Sequence, residues 1–208
     1  MTYLEFLFSG GIIGNIIIFI LFFLSVISVY IFFKKYMQIN LASGIDFRFK
    51  NQIFSLLEKG EIEDVIQLCR KKKNMFASVL KEVLSRNIGS QQQKIKDNID
   101  NSIQRELIKL ETNISTLASI AGGAPMIGFL GTVIGMIMAF YRISAGAGNV
   151  EIEMLSQGIY TAMFTTAIGL VVGIFAYFTY NFLVSKIQNI STKLELEVIE
   201  ILDKTNIY

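Results

Sequence analysis

The sequence predicts an all-α integral membrane protein with three transmembrane helices, two of them extended into a cytoplasmic helical bundle. Three observations carry this. Apolar residues make up 52% of the chain and are grouped in blocks, with mean hydropathy +0.52, 17 Phe and a single Pro, beyond the soluble average. Three blocks run without a charge for long enough to cross the roughly 30 Å hydrocarbon layer as a helix. The last two blocks continue into stretches whose apolar residues recur at helical spacing.

Residues 1–11 hold one charge, Glu5, and end in Gly10-Gly11; they are expected on the periplasmic side. The first span covers 12–33. No basic n-region precedes it and no small-residue cleavage pattern follows, so it reads as a retained helix and not as a cleavable signal. Lys34-Lys35 closes it. The positive-inside rule then puts that flank in the cytoplasm and the N-terminus outside.

Residues 34–113 carry fifteen of the nineteen Lys and Arg and are assigned to a cytoplasmic helical region. Helical pieces are expected over Gln52–Lys59, stopping at Gly60, over Glu61–Lys72, with acidic residues first and basic ones last, and over Met75–Asn87, ahead of Gly89. From Gln91 the apolar positions Ile95, Ile99, Ile103, Leu107, Leu110, Ile114 and Leu117 keep helical spacing. They predict one helix from about Gln91 to Tyr141, about 75 Å long at 1.5 Å per residue, bent at Pro125. Its membrane part, 114–141, is the second span.

Residues 142–154, with Gly146, Gly148, Glu151 and Glu153, form a short periplasmic turn. The third span is 155–184, closed by Lys186. Ile187, Ile190, Leu194, Val198 and Ile201 extend it into a cytoplasmic C-terminal helix over 185–208, and this stem pairs with the one ahead of the second span.

The second and third spans share a pattern. Pro125, Gly128, Gly131, Thr132, Gly135 and Ala139 fall on one face of the second, and Ala162, Thr166, Gly169, Gly173 and Ala176 on one face of the third. Gly131 with Gly135 and Gly169 with Gly173 are small-xxx-small pairs, which let backbones approach closely where apolar burial no longer drives association. Pro125, Gly128, Gly131, Gly135, Ala162, Gly169 and Gly173 are therefore the candidate helix-packing residues.

No Asp, Glu, Lys, Arg or His occurs within the three spans, although such residues at membrane depth mark ion and proton routes. The spans offer hydroxyls and amides instead, among them Ser156, Tyr160, Thr179, Tyr177, Tyr180 and Asn181. Thr132, Thr161, Thr165 and Thr166 are the candidate pore-lining set. Hydroxyls both donate and accept, so they can line a wet path or bond an acid supplied by another chain; equally, they can bond their own backbone.

Other chemistries find little support. Without His and with the single Cys69, neither a disulfide nor a transition-metal site is expected. No base stands near a nucleophile, so the chain is not read as an enzyme. No cofactor is expected, since no glycine pattern follows a strand. A net charge of +2 and one short basic run, Arg70 to Lys73, speak against nucleic acid.

The stretch Ala124-Pro125-Met126-Ile127-Gly128-Phe129-Leu130-Gly131-Thr132-Val133-Ile134-Gly135-Met136 resembles the A-P-x-x-G-x-x-G-T-V-x-G-M core of the ExbB/TolQ branch of the MotA/TolQ/ExbB proton-channel family. The resemblance continues at Gly158-Ile159, Thr166-Ala167-Ile168-Gly169-Leu170 and Tyr180-Asn181, and more weakly at Gly10-Gly11 and from Gly60-Glu61 to Cys69-Arg70. It implies an ExbB-like homo-pentamer in the bacterial inner membrane, its second and third spans surrounding a dimer of single-span ExbD/TolR-like helices. The partner's membrane Asp then carries the proton, and Thr132 and Thr166 match the family's pore-facing threonines. Two departures stand out: a Glu common in the family's third span is Thr161 here, and the Glu-Arg that often ends the first span is Lys34-Lys35. A four-span MotA-type stator fits less well. The function this implies is a proton-channel subunit working through an ExbD-like partner, energising TonB-dependent outer-membrane transport. The alternatives are a TolQ-like role in Tol-Pal envelope maintenance and a non-conducting membrane scaffold.

Overall fold

The computed structural model describes residues 11–42, 44, 46–72, 74–86, 92–145 and 152–204, and among these every regular element is a helix. The N-terminal segment up to Gly10, the Gly89 stop signal and residues 146–151 of the outer turn lie outside the described residues. The helices are α1 (Gly11–Ala42), α2 (Phe47–Glu58), α3 (Ile62–Lys71), α4 (Met75–Arg86), α5 (Gln92–Glu111), α6 (Ile114–Ala145) and α7 (Ile152–Lys204). Three of them, α1, α6 and α7, contain windows long and apolar enough to cross a membrane, with mean hydropathy 3.0, 1.8 and 1.9. The chain is an all-α multi-pass membrane protein.

Two units can be distinguished: Met1–Phe33 with Asn113–Asn181, and Lys34–Thr112 with Phe182–Tyr208. In the first, the membrane unit, Ile17 and Leu21 of α1, Ile120 and Ala124 of α6, and Val172 and Ala176 of α7 form the common core. Only 22%, 22% and 39% of the three apolar windows are buried within the chain. Large side chains such as Phe19, Phe129 and Phe178 point outward, which inverts the arrangement of a water-soluble protein and suits lipid or neighbouring subunits.

The second, or stem, unit follows soluble rules. Asp46 accepts from the Arg48 amide at 3.1 Å and caps α2; Gly60, at φ +76, ends that helix in the left-handed region, where a glycine carries no penalty. Glu63 and Asp64 open α3, and Arg70 and Lys71 close it, matching charge to the helix dipole. Asn74 accepts from the Ala77 amide at 2.9 Å at the head of α4. Phe49, Ile53 and Leu57 of α2 and Phe76, Val79 and Leu80 of α4 are buried. So are Ile99, Ile103 and Leu107 of α5, and a stripe along α7 made of Leu183, Ile187, Ile190, Leu194, Val198 and Ile201.

The single helix expected from Gln91 to Tyr141 is in fact two. It breaks at Thr112-Asn113, where Asn113 has φ 68, a conformation Asn tolerates better than most residues. The Thr112 amide and hydroxyl both donate to the Ile108 carbonyl, at 3.1 and 2.9 Å. The break frees carbonyls in the last turn of α5, and the Lys35 ammonium donates to one of them, that of Leu110, at 3.1 Å, and to Gln38 Oε1 at 3.1 Å. At its other end α6 continues one turn past Tyr141 to Ala145, into residues expected in the turn, because Arg142 to Ala145 hold no helix breaker before Gly146. The third span and its stem form one uninterrupted helix of 53 residues.

Candidate functional site in the membrane unit

The small-residue faces of α6 and α7 meet in an antiparallel ladder. A Cβ built on Gly173 would fall 2.5 Å from the Pro125 ring, and one on Gly169 would fall 2.9 Å from the Gly128 Cα. On Gly131 it would fall 2.4 Å from Thr165 Oγ1, on Gly135 2.9 Å from the Ala162 Cβ, and on Gly158 3.0 Å from the Ala139 Cβ. Each rung descends one turn on α7 as it climbs one turn on α6. Even the methyl of an Ala at these glycine rungs would push its neighbours away. Pro125 gives up an amide, and its ring occupies the room that Gly173 leaves open.

The four candidate threonines divide into two pairs. Thr165 is fully buried: its hydroxyl donates to the Ala162 carbonyl at 2.8 Å, with the Gly128 carbonyl at 3.4 Å. Thr161 is 8% exposed and packs its methyl against Gly14 of α1. Both sit inside the packing of their own chain. Thr132 and Thr166 are half-buried and cross-link the ladder. Thr132 Oγ1 donates to the Ala162 carbonyl at 2.9 Å, Thr166 Oγ1 donates to the Gly128 carbonyl at 3.0 Å, and the two hydroxyls touch each other.

The chemistry of this cross-link follows from proton counting. Two hydroxyls own two protons but make three contacts, so one proton always has a choice of acceptors and lone pairs are left over. In a regular α-helix the Gly128 and Ala162 carbonyls also accept from the amides four residues on, those of Thr132 and Thr166. A hydroxyl can therefore turn away without orphaning its carbonyl. The pair is fit to accept from a protonated acid or a water and to donate to a carboxylate.

Other polar residues of the spans make other contacts or face outward. Asn181 donates to the Tyr177 carbonyl of its own helix at 2.9 Å, and the Tyr160 ring stacks on Phe164 at 5.8 Å between centroids. Thr179 is buried, while Ser156 and Tyr177 are exposed. One polar residue that sequence reasoning left at the membrane surface is buried instead. Lys35 is 4% exposed, and its pKa is lowered by burial and then by neighbouring Lys34. Its register could have revealed it, since Ile31 and Ile39, four residues either side, are buried as well.

Residues 70–196 match the MotA/TolQ/ExbB proton channel family. The chain is 28% identical over 200 residues, 94% of its length and 67% of the relative's, to the putative biopolymer transport protein ExbB homolog of Methanothermobacter thermautotrophicus. It is 37% identical over 86 residues to the biopolymer transport protein ExbB of Aquifex aeolicus, covering 41% of this chain and 55% of that protein. It is 40% identical over 80 residues to the Tol-Pal system protein TolQ of Haemophilus influenzae, covering 38% of this chain and 35% of that one. The chain thus spans about half or less of the length of the last two. With more than half of its residues matched, and the whole Gly and Thr ladder inside the match, the chain belongs to the MotA/TolQ/ExbB proton channel family, in its ExbB/TolQ branch.

Proposed function

We propose that this chain is the channel-forming subunit of a bacterial inner-membrane motor that couples proton-motive force to work through a single-span ExbD-like partner, energising TonB-dependent outer-membrane transport. Five copies surround a dimer of the partner's helices. Each copy has a periplasmic N-terminus and a cytoplasmic C-terminus, and its second and third spans face the pore. The observation that supports this best is the Thr132 and Thr166 cross-link within spans that hold no Asp, Glu, Lys, Arg or His of their own. The acid comes from the partner as a membrane Asp. When protonated it donates to a threonine lone pair; when ionised it accepts a hydroxyl proton that turns off its carbonyl. Thr161 and Thr165 hold the helices in the register that presents this pair.

Thr166→Val keeps the branched shape and removes the hydroxyl. A hydrogen bond to a charged group is worth about 1.5–3 kcal/mol, so proton flux through liposomes holding the full complex should fall about ten-fold or more. Flux equal to wild type in that variant defeats the assigned role. Flux that ignores replacement of the partner's Asp defeats the channel itself and leaves a scaffold. The match to a Tol-Pal system protein at 40% identity favours one second reading, in which the same channel serves Tol-type envelope maintenance. Co-purification of a TonB-like or a Tol-type partner decides between them.

A further inference from the structure

The stem unit holds a cavity of about 490 Å³, bounded by the end of α1, the end of α3, the head of α4 and the last turn of α5. Its lining is strongly basic: Arg70, Lys72, Lys81 and Lys109 stand against one carboxylate, Glu106. Two of the four cations are matched. Lys72 Nζ lies 2.7 Å from Asp46 Oδ2, which reaches in from outside the lining, and Lys109 Nζ lies 2.6 Å from Glu106 Oε1. Arg70 and Lys81 have no ion pair among the described residues.

Two cations from different helices facing one cavity repel each other unless an anion joins them. The rest of the lining adds to the positive field. Asn74 caps the head of α4 at this wall, so the positive end of that helix dipole points here. Burial pushes the Cys69 thiol up to about 11, against the pull of Lys81, so it stays neutral and offers no counter-charge. Leu41, Met75 and Leu110 supply an apolar wall, which gives the cavity an amphiphilic character. An Arg fork and a Lys ammonium lining one cavity are a combination that recognises phosphate oxygens.

We propose that this cavity binds a phosphate-bearing anion, supplied by a lipid headgroup or by a soluble phosphate, with Arg70 and Lys81 as its two recognition cations. The proposal is independent of the channel reading, which concerns the membrane unit alone.

The test uses the purified full-length chain in detergent and native mass spectrometry, titrating phosphatidylglycerol, phosphatidylcholine and inorganic pyrophosphate separately. Wild type is compared with the Arg70→Gln, Lys81→Gln double variant, with Arg70→Lys, and with Lys59→Gln as a charge control away from the cavity. Removing two basic side chains from an anionic lipid contact should weaken binding about thirty-fold. Phosphatidylglycerol binding that falls by this factor in the double variant, survives in Lys59→Gln and is partly kept by Arg70→Lys supports the lipid source. The same pattern with pyrophosphate alone supports the soluble source. Helix content by circular dichroism should match wild type, because Arg70 is exposed and Lys81 half-buried. If neither anion binds, or if the double variant weakens neither pyrophosphate nor phosphatidylglycerol beyond what it does to phosphatidylcholine, the site does not exist.

Discussion

The membrane unit and the stem unit join helices by opposite means. Between α6 and α7 the contact is made by what is missing: at Gly128, Gly131, Gly135, Gly169 and Gly173 an added Cβ would meet an atom at 2.4–2.9 Å. In the stem the contact is made by bulk, with Phe49 and Phe76 edge to face at 6.3 Å between centroids and Leu80, Ile99 and Ile187 fully or nearly fully buried around the same unit. Water accounts for the difference. In the stem, burying a large apolar side chain is itself the driving force. In lipid that gain is absent, so helices gain by close backbone approach and by bonds such as those of Thr132 and Thr166. Large residues of the membrane unit such as Phe19, Phe129 and Phe178 are consequently turned outward, where lipid can cover them.

Substitutions that trade one solution for the other should break this contrast. The largest effect is expected in the stem. Phe76 is 0% exposed, and Phe76→Ala should cost about 3–5 kcal/mol, read as a lowered unfolding midpoint of the stem by hydrogen exchange of α4. A loss below about 1 kcal/mol would mean that the site collapses without cost and that bulk is not what holds the stem. In the ladder, Gly169→Ala puts a methyl 2.7 Å from the Ala124 carbonyl oxygen and 2.9 Å from the Gly128 Cα, both backbone atoms that cannot step aside singly. It should cost about 1–3 kcal/mol, measured by thermal unfolding in detergent. Gly123→Ala, in the same helix pair, meets nothing within 4 Å. It should raise stability by about 0.5–1 kcal/mol through helix propensity. Equal losses at the two positions would refute the ladder.

The contrast also decides what could be read from the sequence. The three spans were legible because a charge-free apolar run of that length matches the thickness of a bilayer and exceeds what a soluble core helix needs. The small-residue faces were legible because glycines at three- and four-residue spacing in an apolar run serve little purpose except close approach. Which rung meets which was not, since Thr165 packs into Gly131 while Thr166, its neighbour, cross-links to Thr132, and one residue's difference in rotation separates those outcomes. Composition gives all four threonines the same chemistry; only the packing divides them. The break at Asn113 was hidden for a related reason. Leu110, Ile114 and Leu117 are all buried and keep helical spacing across it, so periodicity registers no interruption from a single left-handed residue. Lys35 was placed by its charge at the membrane edge, whereas its register beside Ile31 and Ile39 decides its burial.

The smallest effect concerns the charges that tie α2 to α7 within the stem. Lys50 bonds Glu200 at 2.7 Å and also Glu197, and Lys204 bonds Glu200 at 2.6 Å. The hydrogen bond from Lys204, followed by that from Lys50, pulls the Glu200 pKa from 4.5 down to about 2. The folded stem therefore keeps Glu200 ionised at pH values where the unfolded chain has already taken up a proton. Its contribution is fully present above pH 4.5 and is lost as pH falls from 4.5 towards 2. Lys50 shifts the opposite way: burial lowers its pKa, but the bonds it donates to Glu197 and Glu200 outweigh this and raise it above 10.5, so its own contribution is lost only in strong alkali. Asp46, which caps α2, is also lowered, first by its bond from Lys72, so acid loosens α2 by two routes. Glu200→Gln isolates one of them. Hydrogen exchange of Phe47–Glu58 between pH 4.5 and 2 should rise more steeply in wild type than in this variant. Superimposable profiles would show that α2 is held by Phe49, Ile53 and Leu57 without measurable help from these charges.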